Sequence, residues 1–345
     1  MGLKFAASWL LAMLAAAPGA GEDTREKTGR PERYEFNETH MASPFHIVLY
    51  SMDAAFARRA SRAAFDRIAA LNAILSDYDP DSELSRLAGH AGKEPVAASP
   101  DLFDVLLRSK EFYDRSGGAF DVTISPVGRL WRRARRDRKL PDPARIAEAR
   151  RLVGSDKMVL DAAAHTVFLK LPGMKLDVGG IAKGYAAQAA LDVLKKEGIS
   201  HALVGGAGDI VVGDPPPDSR GWKVAIAPLL PDKGERPRML LLANQAVSTA
   251  GDAERFVVID GHRYSHIINP ATGVGVEDRA SVTVVARDGA TADVLETTVY
   301  VMGPERGLKL VDETPGAAAI FVRATTEGVK TFESARFKDV PVVAE

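Results

Sequence analysis

Lys175-Leu-Asp-Val-Gly-Gly-Ile-Ala-Lys-Gly-Tyr185 is the stretch on which the fold turns. Leu176 and Val178 alternate with Lys175 and Asp177, the period-two pattern of a buried strand, and the glycine pair then hands the chain to a helix. Such a junction can hold an anion, because glycine lets backbone approach a ligand closely and the first N–H groups of a helix point outward at it. Taken alone, the feature is equally well a plain structural turn. Lys183 stands in the first turn of the helix, where a cation opposes the helix dipole, so unless solvated it is expected to be held by a negative partner.

Working outward, Pro44–Ser51 reads as a strand, and residues 53–76 show helical periodicity with Phe56, Ala60, Ala63, Ala64, Ile68 and Leu71 on one side. A turn at Asp77-Tyr-Asp-Pro leads to a short helix capped by Ser82. Residues 100–116 form another amphipathic helix closed by Gly117-Gly118, after which 119–124 reads as extended. Between Arg129 and Lys139 seven basic residues surround Trp131. They can meet phosphates or an acidic partner, but the preferred reading is a solvated charged loop, followed by a charged helix over 144–152. No aromatic series interleaves with them, which argues against nucleic-acid binding.

Strands are expected near 157–160, 166–171, 174–178, 202–204, 210–212, 222–227, 246–249 and 281–286, with a hairpin over 256–267 around Asp260-Gly261 and a late strand at 317–322. Helices are expected from the glycine pair to about 197, over 292–302 and over 305–311. There is no regular β-α alternation, so the fold class is α+β, with mostly antiparallel sheets flanked by helices. Gly205-Gly-Ala-Gly-Asp209 is a second place where backbone can approach a ligand, or only a hairpin turn.

The chain has 345 residues, 45 Lys and Arg against 46 Asp and Glu, and 46% hydrophobic residues, an ordinary balance for a chain with a large core. Near-neutral charge argues against a general polyanion binder. The N-terminus carries a cation at Lys4, an apolar run over 5–17 and small residues over 18–21, the pattern of a secretory signal at 1–21. That run is too short for a lasting membrane span. The chain has no cysteine, which excludes both a disulfide and a lipid-modified cysteine. The expectation is an exported, soluble periplasmic protein with a flexible lead over 22–37 and a folded domain over 38–345.

Three places carry candidate chemistry. Asp293 and Thr297 lie four apart on a predicted helix over 291–300, so both oxygens share one face, a spacing that suits magnesium with its few carboxylates and added hydroxyls, carbonyls and phosphates. A solvated or capping Asp293 is the simpler reading of that residue alone, and Glu296 is a weaker ligand candidate. His266, at the end of a hairpin strand running into Asn269-Pro-Ala-Thr-Gly273, can move protons near neutral pH or serve only as a hydrogen-bonded structural residue. Tyr78, in a turn, can stack on an aromatic ring or merely cover the core edge.

These segments together resemble the ApbE family of FAD:protein FMN transferases. The motifs occur in the family's order: Met41-Ala-Ser-Pro-Phe, Tyr78-Asp-Pro-Asp-Ser-Glu-Leu-Ser-Arg, Gly118-Ala-Phe-Asp-Val-Thr, Leu176-Asp-Val-Gly-Gly-Ile-Ala-Lys-Gly-Tyr, Gly206-Ala-Gly-Asp-Ile, Ser248-Thr-Ala-Gly-Asp, His266-Ile-Ile-Asn-Pro-Ala-Thr-Gly and Thr291-Ala-Asp-Val-Leu-Glu-Thr. The resemblance runs from about Phe36 to about Val311. It implies that FAD is cleaved and FMN is attached through its phosphate to a threonine or serine of a target protein, with release of AMP. It also implies Mg²⁺ on Asp293, Thr297 and the Gly180 carbonyl. Met41, Tyr78, Ala119, Phe120, Asp121, Asp177, Lys183 and Ile268 match positions lining FAD, with Tyr78 beside the flavin ring, and His266 matches the histidine implicated in transfer. The implied acceptor is an outward-facing membrane electron-transfer subunit. Alternatives at the same site are a magnesium-dependent FAD pyrophosphatase giving FMN and AMP, and a non-catalytic flavin-binding or delivery protein. Four departures stand out: Asn269 where aspartate is usual, Gly205 where asparagine is frequent, Ala250 where serine or glycine is common, and Trp131-Arg-Arg where Trp-Gly-Phe is usual.

Overall fold

The computed structural model describes residues 29–230, 237–251 and 256–343. The expected signal at 1–21 and the first part of the expected lead, 22–28, lie outside the described residues. The rest of that lead is a correction. Glu32–His40 forms β1, in which Tyr34 and Phe36 alternate with polar neighbours and pack on the core. Met41 and Ala42, both at positive φ (49° and 54°), turn it into β2, Ser43–Ser51, as tight hairpin turns require.

Helix α1, Ala54–Leu75, begins where the Asp53 side chain accepts from the Phe56 N–H, and α2, Glu83–Gly89, where Ser82 accepts from the Ser85 N–H. After the short β3, Val96–Ala97, α3 runs Pro100–Ser116 and stops at Gly117 in the left-handed region, φ 64°. Residues 119–124 are not extended throughout: Val122–Ile124 is a 3-10 turn capped by Asp121. Nor is the basic run a loop. It lies largely on α4, Ser125–Asp137, because Val127, Trp131 and Ala134 recur at helical spacing and bury one face while the arginines take the other. Helix α5 follows at Pro143–Arg150, then β4, Met158–Asp161, and β5, Thr166–Leu169, which pairs with both β3 and β4 in a small sheet.

The stretch 174–178 belongs to no sheet. Met174, Leu176 and Val178 are buried as alternation demands, but the Asp177 N–H donates to the Val122 carbonyl at 2.7 Å rather than to a ladder. Period two reports alternate burial, and strand pairing is a separate matter. The glycine pair leads into α6, Ala182–Lys196.

Then come β6, Ala202–Gly206; β7, Asp209–Val212; β8, Trp222–Ile226; β9, Arg238–Leu242; and β10, Gln245–Gly251. Two hairpins follow, β11, Phe256–Ile259, with β12, His262–Ser265, and β13, Ile268–Asn269, with β14, Val274–Gly275. The chain closes with β15, Ala280–Ala286; α7, Gly289–Met302; α8, Pro304–Asp312; β16, Ala318–Thr325; and β17, Gly328–Glu333.

The main sheet has the order β1-β2-β6-β7-β10-β15-β16-β17, every neighbouring pair antiparallel. Alternation sorts its side chains cleanly. Phe45, Ile47 and Leu49 face the core shared with α1, α6 and α7, whereas Val48 packs with Trp222, Val224, Leu240 and Leu242 of the β8–β9 hairpin. The α+β expectation holds, with helices on one face and that hairpin on the other. A third cluster, Val127, Trp131 and Ala134 with Val257, Ile259 and Tyr264, docks the β11–β12 hairpin on α4.

Candidate active site

Two glycines let α6 and α7 cross with backbones in contact. A Cβ at Gly184 would fall 2.1 Å from the Gly289 carbonyl oxygen and 2.8 Å from the Asp293 Cβ. That approach puts the Asp293 carboxylate at the start of α6, where Oδ2 accepts from the Gly184 N–H at 2.9 Å. One N–H of this helix start, which from sequence could hold an anion or serve a plain turn, is thus taken by a carboxylate of this chain.

Thr297, one turn along α7, abuts the glycine pair. A Cβ at Gly180 would lie 3.1 Å from Thr297 Oγ1 and 3.1 Å from the Phe120 ring. Neither Gly179 nor Gly180 has positive φ, so the requirement at Gly180 is close packing between Phe120 and Thr297. Glu296 lies beside Thr297, whose hydroxyl donates to Glu296 Oε1 at 3.3 Å.

Asp293 and Glu296 are both buried, and Asp293 Oδ1 and Glu296 Oε2 have no hydrogen-bond partner among the described residues. Burial, and then the nearby Asp209 carboxylate, push the Asp293 carboxyl up to about 7; burial, then Asp293, raise Glu296 well above the usual range. Buried carboxylate oxygens without donors are what a bound cation satisfies. The donors gathered here, carboxylates and the Thr297 hydroxyl, are hard oxygens suited to Mg²⁺. No set of three His, Cys, Asp or Glu side chains in metal-binding arrangement occurs among the described residues, a sparse donor set that suits an ion completing its shell with water and phosphate.

Lys183 has the negative partner its position calls for. Its Nζ lies 3.5 Å from Asp209 Oδ2 and donates to the Gly179 carbonyl at 3.1 Å. Asp209 ends the Gly205–Asp209 turn, is buried, and accepts from Ser248 Oγ at 2.6 Å. The turn is therefore part of the charged cluster, a role that the hairpin pattern alone does not reveal. At Gly205 a Cβ would collide with the His46 ring at 2.1 Å, so the position suits glycine beside this histidine.

Asp121 faces inward. Its Oδ1 accepts from the Thr123 N–H, Thr123 Oγ1 and Ser155 Oγ at 2.7–2.9 Å, so it locks the loop that presents Ala119 and Phe120. Asp177 accepts from the Gly179 N–H through Oδ1 at 3.0 Å and from Arg132 through Oδ2 at 2.7 Å. The same Arg132 nitrogen donates to Asp77, and the guanidinium lies 4.4 Å from the centre of the Tyr78 ring. Arg132 is the residue that sequence reasoning missed. Its signal was the helical spacing of Trp131 and Ala134, which assigns residue 132 to a defined face.

His266 and Ile268 flank Ile267, which packs into the main core, while Ile268 belongs to the hairpin unit docked on α4. Ile268 packs with the Trp131 cluster, and Trp131 Nε1 donates to the Gly273 carbonyl at 2.8 Å. Asn269 makes a turn, its Oδ1 accepting from the Ala271 N–H at 2.9 Å. Met41 is half-buried in the β1–β2 turn, at the end of the sheet where Phe45 pairs with Gly206.

An antiparallel sheet with helices on one face, and a carboxylate–hydroxyl pair set against a glycine turn, define the class. The chain matches the ApbE family over residues 41–321 and belongs to it. It is 30% identical to the FAD:protein FMN transferase of Klebsiella pneumoniae (strain 342) over 291 residues, 84% of this chain and 89% of that protein. It is 32% identical to the FAD:protein FMN transferase of Vibrio cholerae over 272 residues, 78% and 80% of the two chains. In three dimensions it is similar to the flavin transferase ApbE from Vibrio cholerae, with a TM-score of 0.81 at 27% identity, covering 90% of this chain and 99% of the other.

Proposed function

We propose that this chain is a magnesium-dependent FAD:protein FMN transferase that attaches FMN to a threonine or serine of an exported or membrane-bound redox protein and releases AMP. The observation that carries the metal is the pair of buried oxygens, Asp293 Oδ1 and Glu296 Oε2, without donors beside the Gly180–Thr297 contact. Asp293, Thr297 and the Gly180 carbonyl would hold the ion. When bound, Mg²⁺ supplies charge neutralisation to the diphosphate.

The remaining work falls to side chains. Lys183 and the glycine turn receive the phosphates, and Tyr78 offers a ring that is 74% exposed for the flavin to stack on. In the transfer step the acceptor hydroxyl oxygen bonds to the FMN-side phosphorus, the bond from that phosphorus to the bridging oxygen breaks, and AMP carries the oxygen away. His266 or a neighbour takes the hydroxyl proton. We place the protein in the periplasm, on the export pattern at 1–21, with a membrane electron-transfer subunit as acceptor. No helix among the described residues is long and apolar enough to cross a membrane.

The test is incubation with FAD, Mg²⁺ and a candidate acceptor. Covalently fluorescent acceptor and AMP support transfer. Free FMN with AMP points instead to hydrolysis, and unchanged FAD to a binding protein.

A further inference from the structure

We infer that Arg132 is a positioning residue for the flavin end of FAD, clasping the turn that carries Tyr78 to the loop that carries Asp177 and the glycine pair. This rests on the FAD reading above and adds a residue to it. Three segments distant in sequence meet at one guanidinium. The turn after α1 supplies Asp77 and Tyr78, α4 supplies Arg132, and the approach to α6 supplies Asp177.

The contacts are partly sheltered, with side-chain exposures of 24% for Arg132, 11% for Asp77 and 24% for Asp177, so solvent screens them less than a surface pair. Burial, then the neighbouring Asp177, raise the Asp77 carboxyl; Arg132 is the cation that holds the two acids together. One guanidinium nitrogen serves both carboxylates while the planar group covers an aromatic face.

The consequence is geometric. Tyr78 is highly exposed and its turn is otherwise held by local bonds, among them those to Ser76, whose Oγ accepts from the Tyr78 and Asp79 N–H groups at 3.3 and 3.1 Å. Asp177 is bonded directly to the Gly179 N–H. Arg132 therefore fixes the spacing between the ring platform and the glycine turn, which is the spacing between the isoalloxazine and the diphosphate.

The test is a double-mutant cycle on FAD affinity, read by flavin fluorescence with Mg²⁺ present, in the full chain and in the Arg132→Ala, Tyr78→Ala and doubly substituted proteins. We expect each single change to weaken FAD about tenfold, and the double variant to match the weaker single, since Arg132 acts through Tyr78. Arg132→Lys, which keeps the charge but loses the planar group over the Tyr78 ring, falls between wild type and Arg132→Ala and serves if the alanine variant does not fold. Unchanged affinity in both Arg132 variants overturns the inference, as does a double variant whose loss is the product of the singles. Failure of the unmodified chain to bind FAD overturns the FAD reading itself, a result separate from any difference among variants.

Discussion

The Asp293 carboxylate reaches from α7 to the Gly184 N–H at the head of α6, 2.9 Å away, with one oxygen, while its other oxygen is buried without a partner. One side chain thus joins two helices and leaves an oxygen for the proposed metal. The two roles separate by substitution. Asp293→Asn keeps an oxygen for the Gly184 N–H and removes a buried charge near Asp209 and Glu296, so the metal-free protein should melt at or above the wild-type temperature. The Mg²⁺-induced rise in melting temperature should vanish, and FMN transfer should fall at least a hundredfold. Asp293→Ala should lose the cap as well, at about 1 kcal/mol. Wild-type turnover in saturating Mg²⁺ by either variant would remove the metal assignment.

The same burial gives a signed pH dependence. The Asp293 carboxyl rises from 3.8 to about 7 on folding and Glu296 moves the same way, so between those values the folded chain binds more protons than the unfolded one. Stability of the metal-free protein should therefore fall as pH rises from about 4 to about 7, then level off for the Asp293 contribution. Mg²⁺ competes with those protons, so its stabilising effect should grow over the same range. Melting curves with and without Mg²⁺ at pH 5.5 and 8 check both signs. A metal effect that shrinks with rising pH contradicts the assignment.

The α6–α7 crossing makes its own demand. Gly184→Ala would put a methyl group 2.1 Å from the Gly289 carbonyl, and a backbone atom cannot swing aside as a side chain can. The helices must part, at a cost of about 3 kcal/mol. Gly180→Ala meets side chains of Phe120 and Thr297 at 3.1 Å, which can yield a little, so stability should fall by less, about 1 kcal/mol. Activity should nevertheless drop, because the atom displaced is the Thr297 hydroxyl. Chemical denaturation paired with transfer rates separates the two. Equal stability losses would mean that the packing distinction is wrong.

Much of this was legible because it is local. The cap at Ser82 and the glycine stop after Ser116 follow from short-range rules, and the structure has both. Asp293 and Thr297 share a helix face by spacing alone. What could not be read depends on partners distant in the chain. Alternate burial at Leu176 and Val178 imitates a strand, yet the Asp177 N–H bonds to Val122. The arginines of α4 suggested a solvated loop because charge dominates their composition, although Trp131 and Ala134 set a helical face. Gly184 and Arg132 owe their roles to Gly289, Asp77, Asp177 and Tyr78, contacts that no local pattern encodes.

His266 follows β12 directly, on a unit held to α4 by the Trp131 ring, whose centre is 5.1 Å from that of Tyr264, and by the bond from Trp131 to the Gly273 carbonyl. It takes no part in the bond from the Gly184 N–H to Asp293 or in the packing of Gly180 on Thr297. His266→Ala should retain FAD affinity and the Mg²⁺-induced rise in melting temperature while losing transfer by about a hundredfold to ten-thousandfold, the usual scale for a proton-transfer group. Trp131→Ala gives the contrast, because it undermines the docking of the whole unit: it should cost about 3 to 5 kcal/mol as a buried aromatic truncation and reduce transfer through loss of position. Single-turnover transfer with FAD prebound distinguishes chemistry from binding. A His266→Ala protein that transfers FMN at the wild-type rate would exclude this histidine as the base and send the search to its neighbours on the same hairpin unit.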